Sequence, residues 1–513
     1  MRTGSKSLLL AALIITLLSA WRYHRAAPRL WSVSEVPVAW WAWRAVVPTE
    51  AELETVMRAT PSQALFLRAG QFDDEQGKLR RIRAVAGAMP RRPELHLVYN
   101  ATRSLLAEFE RVETNKLAAT IAESFAQDVT RATSDCAKVA GLQLDLDVPT
   151  RLLPRYAQLL KQTRALLPAN TKLSVTGLPT WIASRDLNDV LDAVDFWIPQ
   201  CYGALIPPKL DQLVPIVSPP QVARTMERLR KLKRPFYAGL PAYGYAILYS
   251  PGGALIEVRG DLDPALITNH PDLELIERKT FEPENKTLSH NFPAVASEWR
   301  SVYRARRDCV IDGLVIRPGD TIMLDLPTAE SLRACACAVR EQAGPFLLGI
   351  CIFRLPVHDD PATLTITEIA DALNDRATVP AASITMTQSN HLRLSVTNSG
   401  SASGTMRLTM EIPNAALKEA IRLDGFNEAQ PLCRAALDRE SSAQAKLLPC
   451  SLRRAEFIRL SAINWRPGMK YWMEINSAVT TQTRFDTKIE IETDDGRTHL
   501  EERSVAVTWS EER

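Results

Sequence analysis

Residues 141–149, Gly-Leu-Gln-Leu-Asp-Leu-Asp-Val-Pro, constrain the fold of this chain more than any other stretch. Alternation of leucine with polar residues is the period of a β-strand, so the leucines share one face and Gln143, Asp145 and Asp147 share the other. Burying two carboxylates and an amide costs several kcal/mol unless the groups are paired or used by a site. At the C-terminal end of a barrel strand they would converge on the mouth, where such barrels place their active sites. We therefore treat these three residues as candidate site residues.

Short apolar strands alternate with amphipathic helices along the first three quarters of the chain. The predicted strands are residues 38–43, 64–68, 95–100, 142–147, 173–177, 196–202, 236–242 and 347–353. Predicted helices include residues 115–132, 154–167, 220–232 and 329–342, with apolar residues at helical spacing. Eight strand–helix units predict a closed (β/α)8 TIM barrel. The alternative is a doubly wound open sheet, although no glycine-rich phosphate loop follows the first strand.

The spacing of these elements predicts the domain organisation. The barrel spans residues 36–375, and a long insertion at about 244–325 separates its seventh and eighth strands. Beyond it, residues 380–513 change to a period of two, with turn residues between short strands, which predicts an immunoglobulin-like β-sandwich. Its predicted strands are 383–387, 392–398, 406–413, 457–460, 471–476, 488–493 and 505–509. We expect this domain to be a binding module or a spacer, since no set of catalytic residues is visible in it.

Residues 1–30 read as an export signal or an N-terminal membrane anchor. Arg2 and Lys6 precede an apolar run from residue 8 to 21, which is shorter than the ~20 residues of a comfortable membrane span. Three arginines follow the run, which suits neither a cleavage site nor the positive-inside rule well, so cleavage and anchoring both stay open. We expect an exported protein, periplasmic or associated with the membrane through this segment.

Composition excludes several other classes of protein. Charged residues make up 24% of the 513 residues and the formal net charge is +3, so nothing indicates disorder or nucleic-acid binding. Eight cysteines include no CxxC pair and no zinc spacing, and we expect neither a metal nor a cofactor. Cys433 and Cys450 are the one pair that we would propose as a disulfide. His358-Asp359-Asp360 is better explained as a solvated loop than as a metal group.

The ends of the other predicted strands supply polar and aromatic residues to the same rim. Carboxylates and amides bind hydroxyl groups and aromatic rings stack on pyranose faces, so this composition suits a sugar. One of Trp41 and Trp43 is a further candidate for the pocket. The candidate substrate-binding residues are Gln143, Asn100, Thr176, Trp181, Gln200, Tyr202, Tyr243, Phe353 and Arg354.

At these positions the chain resembles glycoside hydrolase family 18, the chitinase-type barrels. That family carries Asp-Gly-x-Asp-x-Asp-x-Glu on strand four; here Gln143 replaces the first strand aspartate, Asp145 matches the second and Asp147 replaces the acid glutamate. Its strand-six Met-x-Tyr-Asp resembles residues 200–203, with Tyr202 kept and the aspartate replaced by glycine. Gly-x-Pro-x-Tyr-Gly on strand seven is matched by residues 239–244, and the family's strand-eight tryptophan falls at Phe353.

The chain resembles more closely an uncharacterised bacterial family, domain of unknown function 3142. The resemblance rests on the strand-four motif, on Thr176-x-Leu178-Pro179-x-Trp181 and on residues 195–202, Asp-Phe-Trp-x-Pro-Gln-x-Tyr, and it covers about residues 40–373. It implies the barrel fold and brings no established activity.

The chitinase-type resemblance implies a mechanism in which one carboxyl is the acid and the acetamido group of the sugar assists. Asp147 would be the acid, Asp145 its orienting partner and Tyr202 a hydrogen-bond donor to the acetamide. The expected function is that of a glycoside hydrolase-like envelope protein acting on a polysaccharide or N-acetylated glycan. The first alternative is a non-catalytic carbohydrate-binding protein on a degenerate barrel, which the missing glutamate and strand-six aspartate favour. A purely structural surface protein is the second, although it leaves the buried polar residues of strand four unexplained. For the two aspartates themselves, a structural role in which they bond to rim amides or to Arg68 also stays open.

Overall fold

A computed structural model describes residues 31–44, 46–75, 78–203, 206–212, 214–280, 298–357, 360, 362–412, 422–434, 447–475, 483–493 and 497–509. The predicted signal or anchor at residues 1–30, and His358 with Asp359, lie outside these residues. No helix in the described ranges is long and apolar enough to span a membrane.

The elements up to residue 373 form the barrel and its insertion. The strands are β1 (Val38–Ala42), β2 (Ser62–Glu75), β3 (Lys78–Ala84), β4 (Glu94–Ala101), β5 (Val139–Asp145), β6 (Lys172–Gly177), β7 (Phe196–Pro199), β8 (Phe236–Pro241), β9 (Tyr245–Tyr249), β10 (Leu255–Arg259), β11 (Leu273–Thr280), β12 (Glu298–Ala305), β13 (Cys309–Ile311), β14 (Leu314–Ile316), β15 (Thr321–Pro327) and β16 (Leu347–Phe353). The helices are α1 (Glu50–Ala59), α2 (Arg103–Ala107), α3 (Thr114–Ser134), α4 (Leu153–Leu166), α5 (Leu187–Leu191), α6 (Pro219–Leu232), α7 (Pro264–Thr268), α8 (Ala329–Gln342) and α9 (Ile366–Leu373).

Eight of these strands close into a parallel barrel in the order β1-β2-β4-β5-β6-β7-β8-β16, and β16 pairs with β1. The prediction of a (β/α)8 barrel is therefore confirmed, and the open-sheet alternative is wrong because both edges of such a sheet pair here. Two helix starts follow from the sequence: Thr49 and Glu52 form a capping box at α1, and Pro219 occupies the first turn of α6.

Alternation along the strands decides which side chains enter the barrel. On β1, Trp40 packs against the helices, whereas Trp41 joins the interior cluster. Phe66 on β2 and Val98 on β4 belong to that same interior cluster. Two residues further on, Arg68 in the middle of β2 and Asn100 near the end of β4 therefore share their inward faces. By the same period Gln143 and Asp145 point inward on β5.

An insertion follows β8 and carries its own sheet. Strands β10-β9-β15-β12-β11 form an antiparallel sheet and β13 pairs with β14, around a small core that includes Leu248, Tyr303 and Ile322. A buried ion pair ties two of these strands together: the Arg300 guanidinium donates to both Asp325 oxygens at 2.7 Å. The chain then returns through α8 to β16, the last barrel strand.

The C-terminal region is a β-sandwich, as the period of two predicts. Its strands are β17 (Ala382–Gln388), β18 (Leu392–Asn398), β19 (Gly404–Glu411), β20 (Arg422–Asp424), β21 (Glu428–Arg434), β22 (Leu447–Pro449), β23 (Phe457–Trp465), β24 (Lys470–Ile475), β25 (Arg484–Thr493) and β26 (Thr498–Trp509). The layers β20-β24-β18-β17 and β26-β25-β19-β23-β21-β22 enclose a separate core with Met406, Leu460 and Met473. Strands β20 to β22 lie at the ends of the layers and were not predicted, because two are only three residues long and Pro431 interrupts the third.

Candidate functional site

The mouth of the barrel holds a cavity of about 360 Å³ at the C-terminal ends of the strands. It is lined by Trp43, Gly203, Ile206, Tyr243, Tyr245, Val258, Gly260, Asp261, Phe353 and Arg354, so the insertion forms one wall. A larger cavity of about 770 Å³ lies between the barrel and the sandwich. We assign the candidate site to the smaller cavity because its aromatic wall adjoins the Asp145–Asp147 pair.

Asp145 and Asp147 stand at the top of β5 in different surroundings. The strand ends at Asp145, two residues earlier than predicted. Asp145 is 9% exposed, and Thr176 Oγ1 donates to its Oδ1 at 2.5 Å, whereas Asp147 is open to solvent at the mouth. Thus one carboxyl is held within the wall and the other can meet a ligand.

The two carboxyls titrate as a pair. Burial, and then the charge of Asp147, raise the pKa of Asp145 to about 7, against the lowering effects of Thr176 and Arg68. Desolvation by the surrounding protein also raises the pKa of Asp147, although this side chain is exposed. Two like charges on one rim resist joint ionisation, so the pair retains a proton near neutral pH. A group poised in this way can act as a general acid.

Two phenols stand close to the carboxyl pair in neutral form. Burial raises the pKa of Tyr156 and of Tyr202 well above the usual range, and both aspartates add to each shift. Tyr156 donates to the Leu144 carbonyl at 3.3 Å and so supports the strand beneath the pair. Tyr202 follows β7, which ends at Pro199, three residues earlier than predicted.

An aromatic cluster connects the carboxyl pair with the cavity. The ring of Tyr202 stacks on Phe353 with centroids 5.8 Å apart and an interplanar angle of 14°, and Tyr243 meets Phe353 edge-on at 5.1 Å. Trp43 also meets Phe353 edge-on, at 5.7 Å. Tyr243, Phe353 and Trp43 are only partly buried, so they offer apolar faces and edges to a ligand.

Arg68 and Asn100 complete the polar side of the rim. The Arg68 guanidinium carbon lies 4.5 Å from the centre of the Trp43 ring. With its amide turned to satisfy its neighbours, Asn100 donates to the Gly70 carbonyl and accepts from Arg68 Nη2, both at 3.2 Å. Asn100 also pairs in register with Asp145 across β4 and β5. The amide therefore fixes the Arg68 guanidinium against β2 and β4 on the polar side of the rim.

Three predicted substrate-binding residues require correction, because the structure buries them and their side-chain donors bond within the protein. Trp181 is fully buried and its indole nitrogen donates to the Val148 carbonyl at 2.9 Å, so it presents no ring face to the mouth. Gln143 is fully buried beneath Asp145 and donates to Ser174 Oγ at 3.3 Å. Thr176 is also buried, so it reaches a ligand only through Asp145.

Arg354 lines the cavity but its charge is already neutralised. The guanidinium donates to both oxygens of Asp360, at 2.5 and 2.6 Å, and to the Gly260 carbonyl at 2.7 Å. Arg354 thereby fastens the insertion to the end of β16. Gln200 is partly buried after β7, where its backbone nitrogen donates to the Gly177 carbonyl at 2.8 Å.

Sequence reasoning assigned no ligand-binding role to Arg68 and missed the insertion residues Tyr245 and Asp261 of the cavity wall. The signal for Arg68 was present, because it lies two residues after Phe66 on an inward face. The insertion residues had no such signal, since no strand period relates them to the mouth.

The cysteine pair lies on neighbouring sandwich strands. Cys433 is on β21, and Cys450 follows the paired strand β22. Both thiols are free in this structure, and desolvation, together with the interaction with the neighbouring Cys433, raises the pKa of Cys450 to about 11. The proposed disulfide stays a prediction.

Comparisons with known proteins agree with one resemblance seen in the sequence. The family described as "Domain of unknown function (DUF3142)" matches residues 101–274, which contain the three motifs that suggested it, and that resemblance is confirmed over this segment. No curated protein matches the chain significantly in sequence.

Several solved structures of chitinase-type proteins align with about two thirds of the chain. The spore cortex-lytic enzyme SleL of Bacillus cereus is 13% identical, with 66% of this chain and 74% of that chain covered and a TM-score of 0.41. A chitinase from Chromobacterium violaceum is 15% identical, with 66% and 99% covered and a TM-score of 0.43. A family 18 N-acetylglucosaminidase from Paenibacillus barengoltzii is 11% identical, with 66% and 99% covered and a TM-score of 0.39. Structural similarity this distant says nothing about the activity of the chain. By sequence, residues 101–274 are similar to the family described as DUF3142.

Proposed function

We propose that the mouth of this barrel binds a glycan of the cell envelope and hydrolyses it by carboxyl acid catalysis. One observation carries the proposal: a coupled carboxyl pair that retains a proton near pH 7 stands beside partly exposed aromatic rings at the C-terminal end of a (β/α)8 barrel. Aromatic rings and carboxylates together suit sugars, and catalytic residues of such barrels lie at this end.

In this mechanism Asp147 is the acid. Its carboxyl is open to the mouth and donates a proton to the glycosidic oxygen, while Asp145 and Tyr202 orient the sugar from the wall of the cleft. A substrate with an N-acetyl group would supply the second reacting group itself, which fits a site where Asp145 is held by Thr176 rather than exposed as a nucleophile.

A non-catalytic glycan-binding protein is the second candidate, and Gly203 favours it. The resemblance to chitinase-type barrels would place a carboxylate at this position after Tyr202. Instead Gly203 lines the cavity, and no atom lies within 4 Å of the place that a Cβ would take. The cleft therefore keeps the surface of a binding site but has one acidic group fewer than the chitinase-type motif.

The experiment that separates these functions is the release of reducing ends from a panel of N-acetylated and other bacterial envelope glycans. A hydrolase releases them from at least one glycan, with activity falling as the pH rises through about 7 and the pair loses its proton. Asp189→Asn, at an exposed carboxylate on α5 that does not line the cavity, is the control and should retain activity. Binding without release at any pH supports the second candidate, and neither binding nor release contradicts both.

A further inference from the structure

The cavity between the barrel and the sandwich has no part in the proposed reaction. Its volume of about 770 Å³ is about twice the 360 Å³ of the mouth cavity and lies within the ~300–1,000 Å³ of ligand pockets, which often form between domains. The barrel supplies one wall, and the sandwich supplies the other with residues such as Asn464 and Tyr471. Both domains are therefore needed to form this cavity.

The interdomain cavity lies on the same face of the barrel as the mouth. Its barrel residues belong to three segments, and each segment follows a barrel strand. These are residues 51–55 after β1, residues 263–269 in the insertion after β8, and residues 356–366 after β16. Connections that follow the strands gather at the C-terminal end of a (β/α)8 barrel, which is where the mouth opens.

Only a thin partition separates the two cavities. Asp261 lines the mouth and Asp263 lines the interdomain cavity, and two residues of extended chain span at most about 7 Å. Arg354 of the mouth is bonded directly to Asp360 of the interdomain cavity, at 2.5 and 2.6 Å. The partition is thus one ion pair thick at this point, and the exposed side chain of Asp261 stands on its mouth side.

Contacts around the interdomain cavity hold its walls in place. Tyr243, which lines the mouth, forms an isolated β-bridge with Thr363, which lines the interdomain cavity. Arg466 of the sandwich donates to the Thr363 carbonyl at 2.8 Å, and Asn427 of the sandwich donates to Oδ1 of Asn269 in the insertion. The two domains are therefore tied together on two sides of the cavity, so a ligand would meet a site that is already formed.

The lining of the interdomain cavity resembles that of the mouth in chemistry. It combines the partly buried ring of Tyr471 with the amides of Asn269 and Asn464 and with the carboxylate of Asp263. Phe426 holds the Tyr471 ring edge-on, with the ring centroids 5.7 Å apart. An aromatic ring beside amide and carboxylate groups suits a sugar here for the same reason as at the mouth.

We propose that the interdomain cavity binds a further part of the same glycan chain that occupies the mouth, so that the ligand is a polymer and not a short oligosaccharide. This inference rests on the proposed binding of a glycan at the mouth. A chain that leaves the mouth past Asp261 reaches the second cavity beyond a single ion pair. Binding there is then intramolecular, which raises the affinity for long chains without any new contact at the mouth.

Methyl NMR of isoleucine-labelled protein tests the two cavities separately. Ile206 lines the mouth, Ile366 and Ile463 line the interdomain cavity, and the fully buried Ile458 is the control. The probes are linear N-acetylglucosamine oligomers of two and six units, added to the full chain with Asp147→Asn, which the proposed mechanism expects to bind without cleaving. The dimer at half-saturation should move the Ile206 signal alone. The hexamer should also move the signals of Ile366 and Ile463, and Ile458 should respond to neither.

Each other result has its own meaning. A hexamer that moves Ile206 alone overturns the inference and leaves the proposed function standing. Signals of Ile366 and Ile463 that move without Ile206 would show an independent site, which also overturns it. If no signal moves with either oligomer, the mouth does not bind these sugars, and the result contradicts the proposed function for N-acetylated glycans together with the inference.

Calorimetry with the same two oligomers gives a second test. We expect Tyr471→Ala to weaken hexamer binding roughly tenfold, below the loss typical of a central aromatic anchor, and to leave dimer binding unchanged. Trp472→Ala is the matched control, because this partly buried tryptophan is the next residue of β24 and points to the opposite face. Unchanged hexamer binding in a folded Tyr471→Ala protein, checked by circular dichroism, contradicts the inference, as does an equal loss for both oligomers.

Discussion

Asp145 and Asp147 lie two residues apart, yet they differ in exposure and in hydrogen bonding. The strand period turns both inward, but β5 ends between them, so one carboxyl is enclosed with Thr176 and the other reaches solvent. The alternation of residues 141–149 was sufficient to predict the inward face. It could not predict the different exposure of the two residues, because where a strand stops depends on its neighbours in the sheet.

The raised pKa of Asp145 makes a prediction about stability. The folded protein binds this proton more tightly than the unfolded chain, so the stabilisation is complete below about pH 4 and is lost as the pH rises through about 7. Because the amide of Asp145→Asn stays neutral, the free energy of unfolding of this variant should rise relative to that of the wild type across this range. The gain should be on the order of 4 kcal/mol by pH 8, since each unit of pKa shift is worth about 1.4 kcal/mol.

Urea unfolding of both proteins between pH 4 and pH 8 measures this difference. The comparison with the variant is necessary because burial lowers the pKa of His96 to about 4, which adds a pH dependence of the opposite sign to both proteins. A difference in unfolding free energy that stays constant with pH would show that Asp145 ionises in the folded state as freely as in water.

Trp43 should act as a stacking surface for the ligand. Trp43→Ala is expected to weaken glycan binding by about 2 kcal/mol, roughly thirty-fold, the loss typical of an aromatic anchor. Trp472→Ala is the matched control, because this partly exposed sandwich tryptophan also lies under a guanidinium, that of Arg393 at 4.6 Å, against 4.5 Å for Trp43 and Arg68. Calorimetry measures the binding affinity of each variant for the glycan. Equal losses of affinity in the two variants would show that Trp43 does not contact the ligand.

At the scale of elements, the sequence predicted the strands better than their ends. All eight barrel strands were found, since apolar runs bounded by turn residues are a strong signal. Strand β2 runs on to Glu75 to pair with β3, beyond its predicted end at residue 68, because its polar C-terminal half is stabilised by a hairpin rather than by burial. Trp181 was misplaced for a related reason: a turn of 3-10 helix at residues Pro179–Ala183 turns its ring into the core.

The Arg354–Asp360 pair should hold the insertion against the barrel. Both side chains are almost fully buried, so removing one partner leaves an uncompensated charge and is expected to cost about 3–5 kcal/mol. We expect Arg354→Met alone to destabilise the protein by that amount in chemical unfolding. The double variant Arg354→Met/Asp360→Leu should recover much of the loss. A double variant as unstable as the sum of the two single ones would mean that the pair acts through other contacts.

On the scale of the whole molecule, the chain divides where its hydrophobic period changes. The barrel and the sandwich have separate cores, and Arg466 of the sandwich donates to the Thr363 carbonyl of the barrel at 2.8 Å. The period of two in residues 380–513 predicted the second domain from the sequence. The cavity between the two domains had no sequence signal, because it depends on how their surfaces meet.

Separate cores predict separate unfolding. Leu408→Ala, in the sandwich core, should lower one calorimetric transition by the equivalent of about 2–5 kcal/mol and leave the second one in place. Leu144→Ala, in the barrel core, should lower the second transition instead. A single transition that both variants shift equally would show that the two domains unfold as one cooperative unit.

The most direct measurement compares wild type with Asp147→Asn on one glycan that the wild type cleaves, recording the rate of reducing-end release and the binding affinity together. The amide keeps the shape of the side chain but has no acidic proton, so we predict that release falls by at least a hundredfold while affinity changes little. Unchanged release would contradict the assignment of Asp147 as the acid, and with it the account of this mouth as a carboxyl-catalysed site.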